Sequence, residues 1–305
     1  MSQETKTVQK WTLDSVVLQD AYTDFILSRQ AALCSQNTIL FYRFTAGLFV
    51  QWLEGHSIAS PDEVQARHVR EYLAELAGRG KSDGTIADHA RGIRVLVRFW
   101  YAENYLPAPL LIQIPKVGKK RLLSLDADNL NQVINSCDSV RDKAIVMLMA
   151  DSGLRRSEIC NLNWSDIDMQ SGLLRVKQGK GKKDRSAVVG ATTRRQLLKY
   201  RRTLDNHSDN APMFQARGGG RFAGQGLRQV FQSISEKSGI KVTAHCMRRT
   251  FAILSLRAGM SPLHLQALGG WEGLEMVKHY AQMVDDDLLQ AHKAHSPIDN
   301  LSRLK

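Results

Sequence analysis

The stretch Trp164–Val189, WSDIDMQSGLLRVKQGKGKKDRSAVV, decides the fold class. Apolar and polar residues alternate on both sides of Gln178-Gly179-Lys180-Gly181-Lys182-Lys183-Asp184. That is the period of half-buried strands, and the glycines and lysines between them mark a basic turn. A β-hairpin is therefore predicted inside a chain whose other segments repeat their apolar residues at the three- and four-residue spacing of helices. Just upstream, Asp126 to Cys137 and Ser139 to Ser152 read as helices, and Gly153 supplies a turn. Downstream, helices resume at Thr192 and run to the end, with looser sequence from Asn206 to Phe222. The expected class is mainly α with a small β-sheet (α+β).

Further toward the amino terminus the helical period occupies segments 15–31, 36–54, 65–78 and 83–104. Turn-forming residues break it at Ser57 to Pro61 and at Gly78-Arg79-Gly80. Pro107, Pro109 and Pro115 end this run, and Lys116, Lys119, Lys120 and Arg121 follow. The organisation predicted is an all-α domain over 1–114, a basic linker over 115–122 and a mixed helical domain with the hairpin over 123–305. In the fourth helix Arg91, Arg94 and Arg98 run among Ile93, Val95, Val97, Phe99 and Trp100. The three arginines are either a basic stripe beside a buried one or a solvated face.

The chain has 305 residues, 43% of them hydrophobic, enough for two cores, and a formal charge of +12. Through Pro115 there are 11 Lys+Arg against 12 Asp+Glu, and 31 against 18 in the rest, so the cationic excess belongs to the second part. A polyanion is the natural partner, because neutralising phosphates releases counterions. The opening MSQETKTVQK is polar, and the longest apolar run, near Ala144 to Ala150, is far too short for a bilayer. A soluble, unexported, cytoplasmic protein with no membrane partner is expected. Cys34, Cys137, Cys160 and Cys246 are scattered, with no C-x-x-C pair, which suits a reducing compartment and gives no structural zinc site. No P-loop or ligand cluster is present, so neither metal nor other cofactor is expected.

Moving a phosphodiester from one hydroxyl to another needs cations on the nonbridging oxygens, an acid for the leaving oxygen and a nucleophile held in line. Arg155, in Gly153-Leu154-Arg155-Arg156-Ser157-Glu158, sits where a short turn between helices can point a guanidinium outward, and its planar fork suits a phosphate. Lys180, in the basic hairpin, can swing an ammonium into a groove and protonate a departing oxygen. His245 and Arg248 fall three apart, on one helical face, so one can manage protons while the other grips phosphate. Trp271 follows Gly269-Gly270 and offers one indole N–H donor. Tyr280 lies nine residues further on. Taken singly, each has an ordinary reading: an ion pair of Arg155 with Glu158, solvated lysines, a capping histidine, a core tryptophan.

In this order the set resembles the tyrosine recombinase or phage-integrase family, whose signature is Arg, Lys, H-x-x-R, His or Trp, then a Tyr nucleophile. The likeness extends to G-L-R-x-S-E, the G-K-G hairpin and the nine-residue step from Trp271 to Tyr280, and covers most of 123–290. The first domain is similar, more weakly, to the family's core-binding domain through Ser82-x-x-Thr85-Ile86 and Ile93-Arg94-x-x-x-Arg98-Phe99. The resemblance implies a site-specific DNA recombinase or integrase with a Xer-like or Cre-like two-domain architecture.

Carried over residue by residue, the resemblance makes Arg155 and Arg248 the phosphate clamp and Lys180 the general acid. His245 and Trp271 would position the phosphate, Tyr280 would attack it, and Glu158 would support the network. Lys182, Lys183 and the linker cations would add DNA contacts. Trp271 stands where many members have His, which confines that position to hydrogen bonding. Arg156 and Arg249 adjoin the assigned arginines, but the family register selects Arg155 and Arg248. The implied chemistry is a covalent 3′-phosphotyrosine intermediate and a Holliday junction, without cofactor or metal. The implied partners are double-stranded DNA carrying specific sites and three further copies of the chain, a homotetramer on paired sites; no accessory protein is specified. A short helix at Asp285 to His292 would dock on a neighbouring subunit. The competing readings are a noncatalytic DNA-binding protein, a type IB topoisomerase-like enzyme and a protelomerase.

Overall fold

A computed structural model describes residues 16–118, 123–177 and 184–281, together with 292, 293, 296 and 298. The chain divides into two compact units, one ending at Lys120 and one beginning at Arg121.

Among the described residues the first unit has helices and no strand: α1 (Leu18–Ala31), α2 (Gln36–Tyr42), α3 (Leu48–Gly55), α4 (Ala66–Gly78) and α5 (Asp83–Ala102), with one π-helical turn, Arg43–Gly47, joining α2 to α3. Ser35 and Ser82 start α2 and α5 by accepting the Thr38 and Thr85 amides, groups that would otherwise lack acceptors at a helix start. The core gathers Phe25, Phe49, Leu53, Ile93, Leu96 and Trp100, and the Trp100 indole donates to the Ala21 carbonyl at 3.2 Å. Because α5 turns Ile86, Ile93, Leu96 and Trp100 inward, it exposes Arg91, Arg94 and Arg98 together.

The second unit opens with α6 (Ala127–Asn135) and α7 (Val140–Ser152), capped by Asp126 and Ser139, followed by the short α8 (Arg156–Asn161). Strands β1 (Leu173–Val176) and β2 (Arg185–Val188) pair antiparallel, Leu173 opposite Val188 and Val176 opposite Arg185. Leu174, Val176 and Ala187 point into the core. The strands are shorter than the alternating stretch suggests: Trp164–Asp166 forms a 3-10 turn, and the Asp168 carboxylate holds a second turn by accepting from the Gln170 amide and the Ser171 hydroxyl. Residues 178–183, the hairpin connection, lie outside the described residues.

Among the described residues, helices α9 (Ala191–Arg201), α10 (Gly224–Ser238), α11 (Ala244–Arg257), α12 (Pro262–Gly269) and α13 (Leu274–Ala281) follow in this unit. Its main core holds Ile145, Leu148, Met149, Trp164 and Phe214, and a smaller cluster of Phe251, Ile253, Leu265, Val277 and Tyr280 sits among α11, α12 and α13. The architecture is thus mainly α with one small antiparallel sheet, as the sequence predicts. Among the described residues no helix is long and apolar enough to cross a membrane.

Gly153 ends α7 with φ of +60°, and a Cβ there would stand 2.3 Å from the Phe251 ring. Gly153→Ala is expected to cost about 2 to 4 kcal/mol, combining left-handed strain of ~1 to 2 kcal/mol with an overpacking term of similar size. Denaturant titration of the wild type and the variant checks this. A loss below about 0.5 kcal/mol would mean that the ring moves aside freely, against the expectation for a packed core.

Candidate active site

The left-handed turn at Gly153 reverses the chain so that Leu154 is buried and Arg155, in extended conformation, becomes the N-cap of α8. One turn on, Glu158 is buried beneath it. The Glu158 Oε2 atom accepts the Arg155 amide at 2.7 Å, and Oε1 accepts the Arg155 Nη1 at 2.7 Å. A second arginine, Arg185 at the start of β2, donates to Oε2 at 2.8 Å. Burial by itself would raise the Glu158 pKa, but the Arg155 amide and the charges of Arg185 and Arg155 outweigh it and hold the carboxyl below the usual range. Glu158 is therefore an anion between two cations.

Arg248 comes from the middle of α11 and is almost wholly buried, at 4% exposure. It donates to the Gly153 carbonyl and, through Nη2, to the Gly269 carbonyl at 2.7 Å. Its guanidinium lies 4.2 Å from the centre of the Trp271 ring, a cation–π contact that stabilises a buried charge. Burial first, and repulsion from Arg155 and Arg185 second, push its pKa down to about 10, so it stays a cation at neutral pH. Arg155 remains the more open of the two, with its side chain 37% exposed, and it donates through Nη2 to the Gly270 carbonyl at 2.6 Å.

Trp271 in turn meets Tyr280 edge-on, ring centres 5.7 Å apart and planes at 62°. The Tyr280 ring is buried in the cluster formed by α11 to α13. Burial raises its pKa against the opposing charges of Arg249 and Arg248 and a hydrogen bond from Arg249, so the phenol is protonated at neutral pH. His245 lies in the first turn of α11 and is exposed. Partial desolvation and the nearby charges of Arg249 and Arg248 lower its pKa, which leaves the imidazole neutral at physiological pH.

The structure thus brings Arg155, Glu158, Arg248, Trp271 and Tyr280 into one site, with His245 one turn before Arg248 on the same helix. Lys180, Lys182 and Lys183 lie outside the described residues, as do Lys119, Lys120 and Arg121. The expected tail helix falls outside them too, since residues 282–291 are not among those described. In the first unit Lys116, Arg91, Arg94 and Arg98 are exposed, and Arg91 spends part of its charge on Asp88 at 2.5 Å. Among the described residues no three His, Cys, Asp or Glu side chains converge as a metal site.

Two members of the site were not singled out by the sequence. Arg185 follows a run of lysines, where a further cation reads as more solvated charge; only its burial, with 8% of the side chain exposed, reveals an internal role. Arg249 is visible in sequence only as the neighbour of Arg248, yet α11 places 248 toward Trp271 and 249 toward the Tyr280 hydroxyl.

Residues 120–286 match the model of the Phage integrase family, and residues 20–104 match that of the Phage integrase N-terminal SAM-like domain. The tyrosine recombinase XerA of Pyrococcus furiosus is 28% identical over 294 residues, covering 95% of this chain and 97% of that protein. The tyrosine recombinase XerA of Saccharolobus solfataricus is 26% identical over 275 residues, covering 88% and 90%. Among solved structures, a XerA recombinase crystal structure aligns with 92% of this chain and 99% of its own at a TM-score of 0.52 and 26% identity. A lambda integrase dimer bound to a core site aligns at a TM-score of 0.72 over 88% of this chain and 77% of its own, with 18% identity, a likeness of fold.

Proposed function

This chain belongs to the phage integrase family of site-specific tyrosine recombinases, and from that premise we propose that it cuts and rejoins double-stranded DNA through a covalent bond between Tyr280 and a DNA 3′ phosphate. What supports this reading above all is the packing of Tyr280 against Trp271, whose ring carries the Arg248 guanidinium, with Arg155 anchored to the adjoining Gly270 carbonyl.

In the proposed reaction the Tyr280 Oη attacks the scissile phosphorus, an O–P bond forms, and the bond to the 5′ oxygen breaks. Each guanidinium has five N–H donors. Arg248 commits N–H groups to Gly153 and Gly269, and Arg155 to Glu158 and Gly270, so both retain donors for nonbridging phosphate oxygens. Those donors are fixed in place before the substrate arrives and stabilise the charge that develops at phosphorus. His245, as a neutral imidazole, accepts the phenol proton, and Lys180 protonates the departing 5′ oxygen. The free 5′ hydroxyl of a partner duplex then attacks the phosphotyrosine and releases Tyr280. The ester conserves the bond energy, so no nucleotide hydrolysis is needed.

Two such exchanges through a Holliday junction call for four copies of the chain on two sites. We assign core-site binding to the helical domain over 1–114, with Arg91, Arg94, Arg98 and the linker residues Lys116, Lys119, Lys120 and Arg121 on the backbone. Catalysis belongs to 123–305, with Lys182 and Lys183 beside the reacting strand. Holding a duplex that carries the site, nicked just 3′ of the scissile bond, with the protein tests the reading. The short 5′-hydroxyl fragment diffuses away, and a protein adduct on the 3′ end should survive SDS. No adduct, or an adduct on the 5′ end, refutes it.

The neutral state of His245 gives a pH prediction. A depressed pKa means that the proton is taken up only below the ordinary value of ~6.5. The ratio of the wild-type cleavage rate to that of His245→Gln should therefore stay near ~10² at neutral pH, within the usual span for proton transfer, and collapse in acid. A midpoint above pH 6.5 would contradict the assignment.

A further inference from the structure

We infer that Arg185 is a positioning residue for the cleavage reaction: it neutralises Glu158 and pins the end of α12, so that Arg155 keeps its charge and its free N–H groups for the phosphate. The inference rests on the proposed role of Arg155 as a phosphate clamp.

The last carbonyls of a helix have no intrahelical donors and carry a partial negative charge. At the carboxyl end of α12 three in succession are taken by three guanidinium groups: Leu268 by Arg185, Gly269 by Arg248 and Gly270 by Arg155. The helix end acts as a comb that sets the order and spacing of the cations. Gly270, with φ of +64°, is part of this device, because a Cβ there would lie 2.3 Å from the Arg185 Cδ.

The three cations are not equivalent. The side chain of Arg185 is 8% exposed and that of Arg155 is 37% exposed, so Arg185 is sealed beneath the surface from which a phosphate must approach. Its second contact is the Glu158 Oε2 atom, while Arg155 holds Oε1. The charges then divide simply. Arg185 and Glu158 cancel, which leaves the two positive charges of Arg155 and Arg248 facing a phosphate that carries one negative charge and approaches two in a five-coordinate transition state.

Without Arg185 the buried carboxylate would have Arg155 as its remaining partner in this pair of contacts. A bidentate fork between them would draw the guanidinium toward Glu158 and cancel its charge. The carboxylate that orients Arg155 would become its competitor.

The test compares Arg185→Gln, Glu158→Gln and the double variant in single-turnover cleavage of the nicked duplex, with DNA affinity and melting temperature measured alongside. Arg185→Gln should bind DNA within about threefold of wild type and cleave roughly 10- to 100-fold more slowly, the range typical when the support of a reacting group is removed. Adding Glu158→Gln should recover at least about fivefold, because the competing carboxylate is gone. A purely structural role would make the double variant as slow as the losses multiplied together, or slower. Wild-type cleavage by Arg185→Gln, or no recovery in the double variant, overturns the inference. Arg155→Ala, measured in parallel, separates the two levels: wild-type cleavage by that variant refutes the clamp itself. If Arg185→Gln melts below the assay temperature, Arg185→Lys takes its place. It keeps the charge but cannot span both acceptors, so it should show a smaller loss with the same recovery.

Discussion

Tyr280→Phe is expected to fold, to bind DNA and to form no covalent adduct. The ring fills a place among Phe251, Ile253, Leu265 and Val277 that phenylalanine also fills, so packing is retained. What is removed is one hydroxyl and its hydrogen bond with Arg249, a change of about 1 kcal/mol in stability. The chemical loss is far larger. Removing the oxygen proposed to form the ester should lower cleavage by at least ~10³-fold, as for other enzymes deprived of their nucleophile. The readout is the SDS-resistant protein–DNA species on the nicked duplex, wild type beside variant. An undiminished adduct in Tyr280→Phe would assign the nucleophile elsewhere. Absence of adduct in both would favour a DNA-binding protein without catalysis, and supercoil relaxation without pairing of sites would favour a topoisomerase.

How much of this was legible beforehand differs by element. Helices α4 and α5 of the first unit could be read because their buried apolar residues fall on one face, as Ile86, Ile93 and Trp100 do on α5. The hairpin could be read from alternation, but its strands could not be bounded, since Trp164 to Asp166 alternate in sequence while side-chain hydrogen bonds fold them into a turn. In the site, the residues that sequence could propose are those with a fixed register to one another: Arg155 after a turn glycine, His245 and Arg248 three apart, Trp271 and Tyr280 nine apart. What it could not propose is the comb. Arg185 and Leu268 are 83 positions apart, and Arg155 and Gly270 are 115 apart. Those pairings depend on where α12 ends against α8 and β2, which no local pattern encodes.

Arg155 and Arg248, the proposed phosphate clamp, should part company when each is changed to lysine. Both substitutions keep one positive charge and lose the planar fork, and either should slow cleavage by about 10²- to 10³-fold, the cost of removing one preorganised donor from a transition-state site. Their effects on folding should differ. Arg155 is partly open, so water can reach the Gly270 carbonyl it leaves behind. Arg248 is buried at 4% exposure and serves the Gly153 and Gly269 carbonyls, one at the turn that launches α8 and one at the end of α12. An ammonium on a single stem cannot reach both. At least one buried carbonyl is then unsatisfied, at about 1 to 3 kcal/mol, and the stacking contact with Trp271 is weakened by a further ~0.5 to 1 kcal/mol. For a unit of this size that corresponds to a melting temperature lower by roughly 4 to 12 °C in Arg248→Lys, against about 2 °C or less in Arg155→Lys. Differential scanning calorimetry on both variants decides the matter. Equal melting temperatures would mean that Arg248 does not tie the two segments together, and that α11 fixes the site by some other contact.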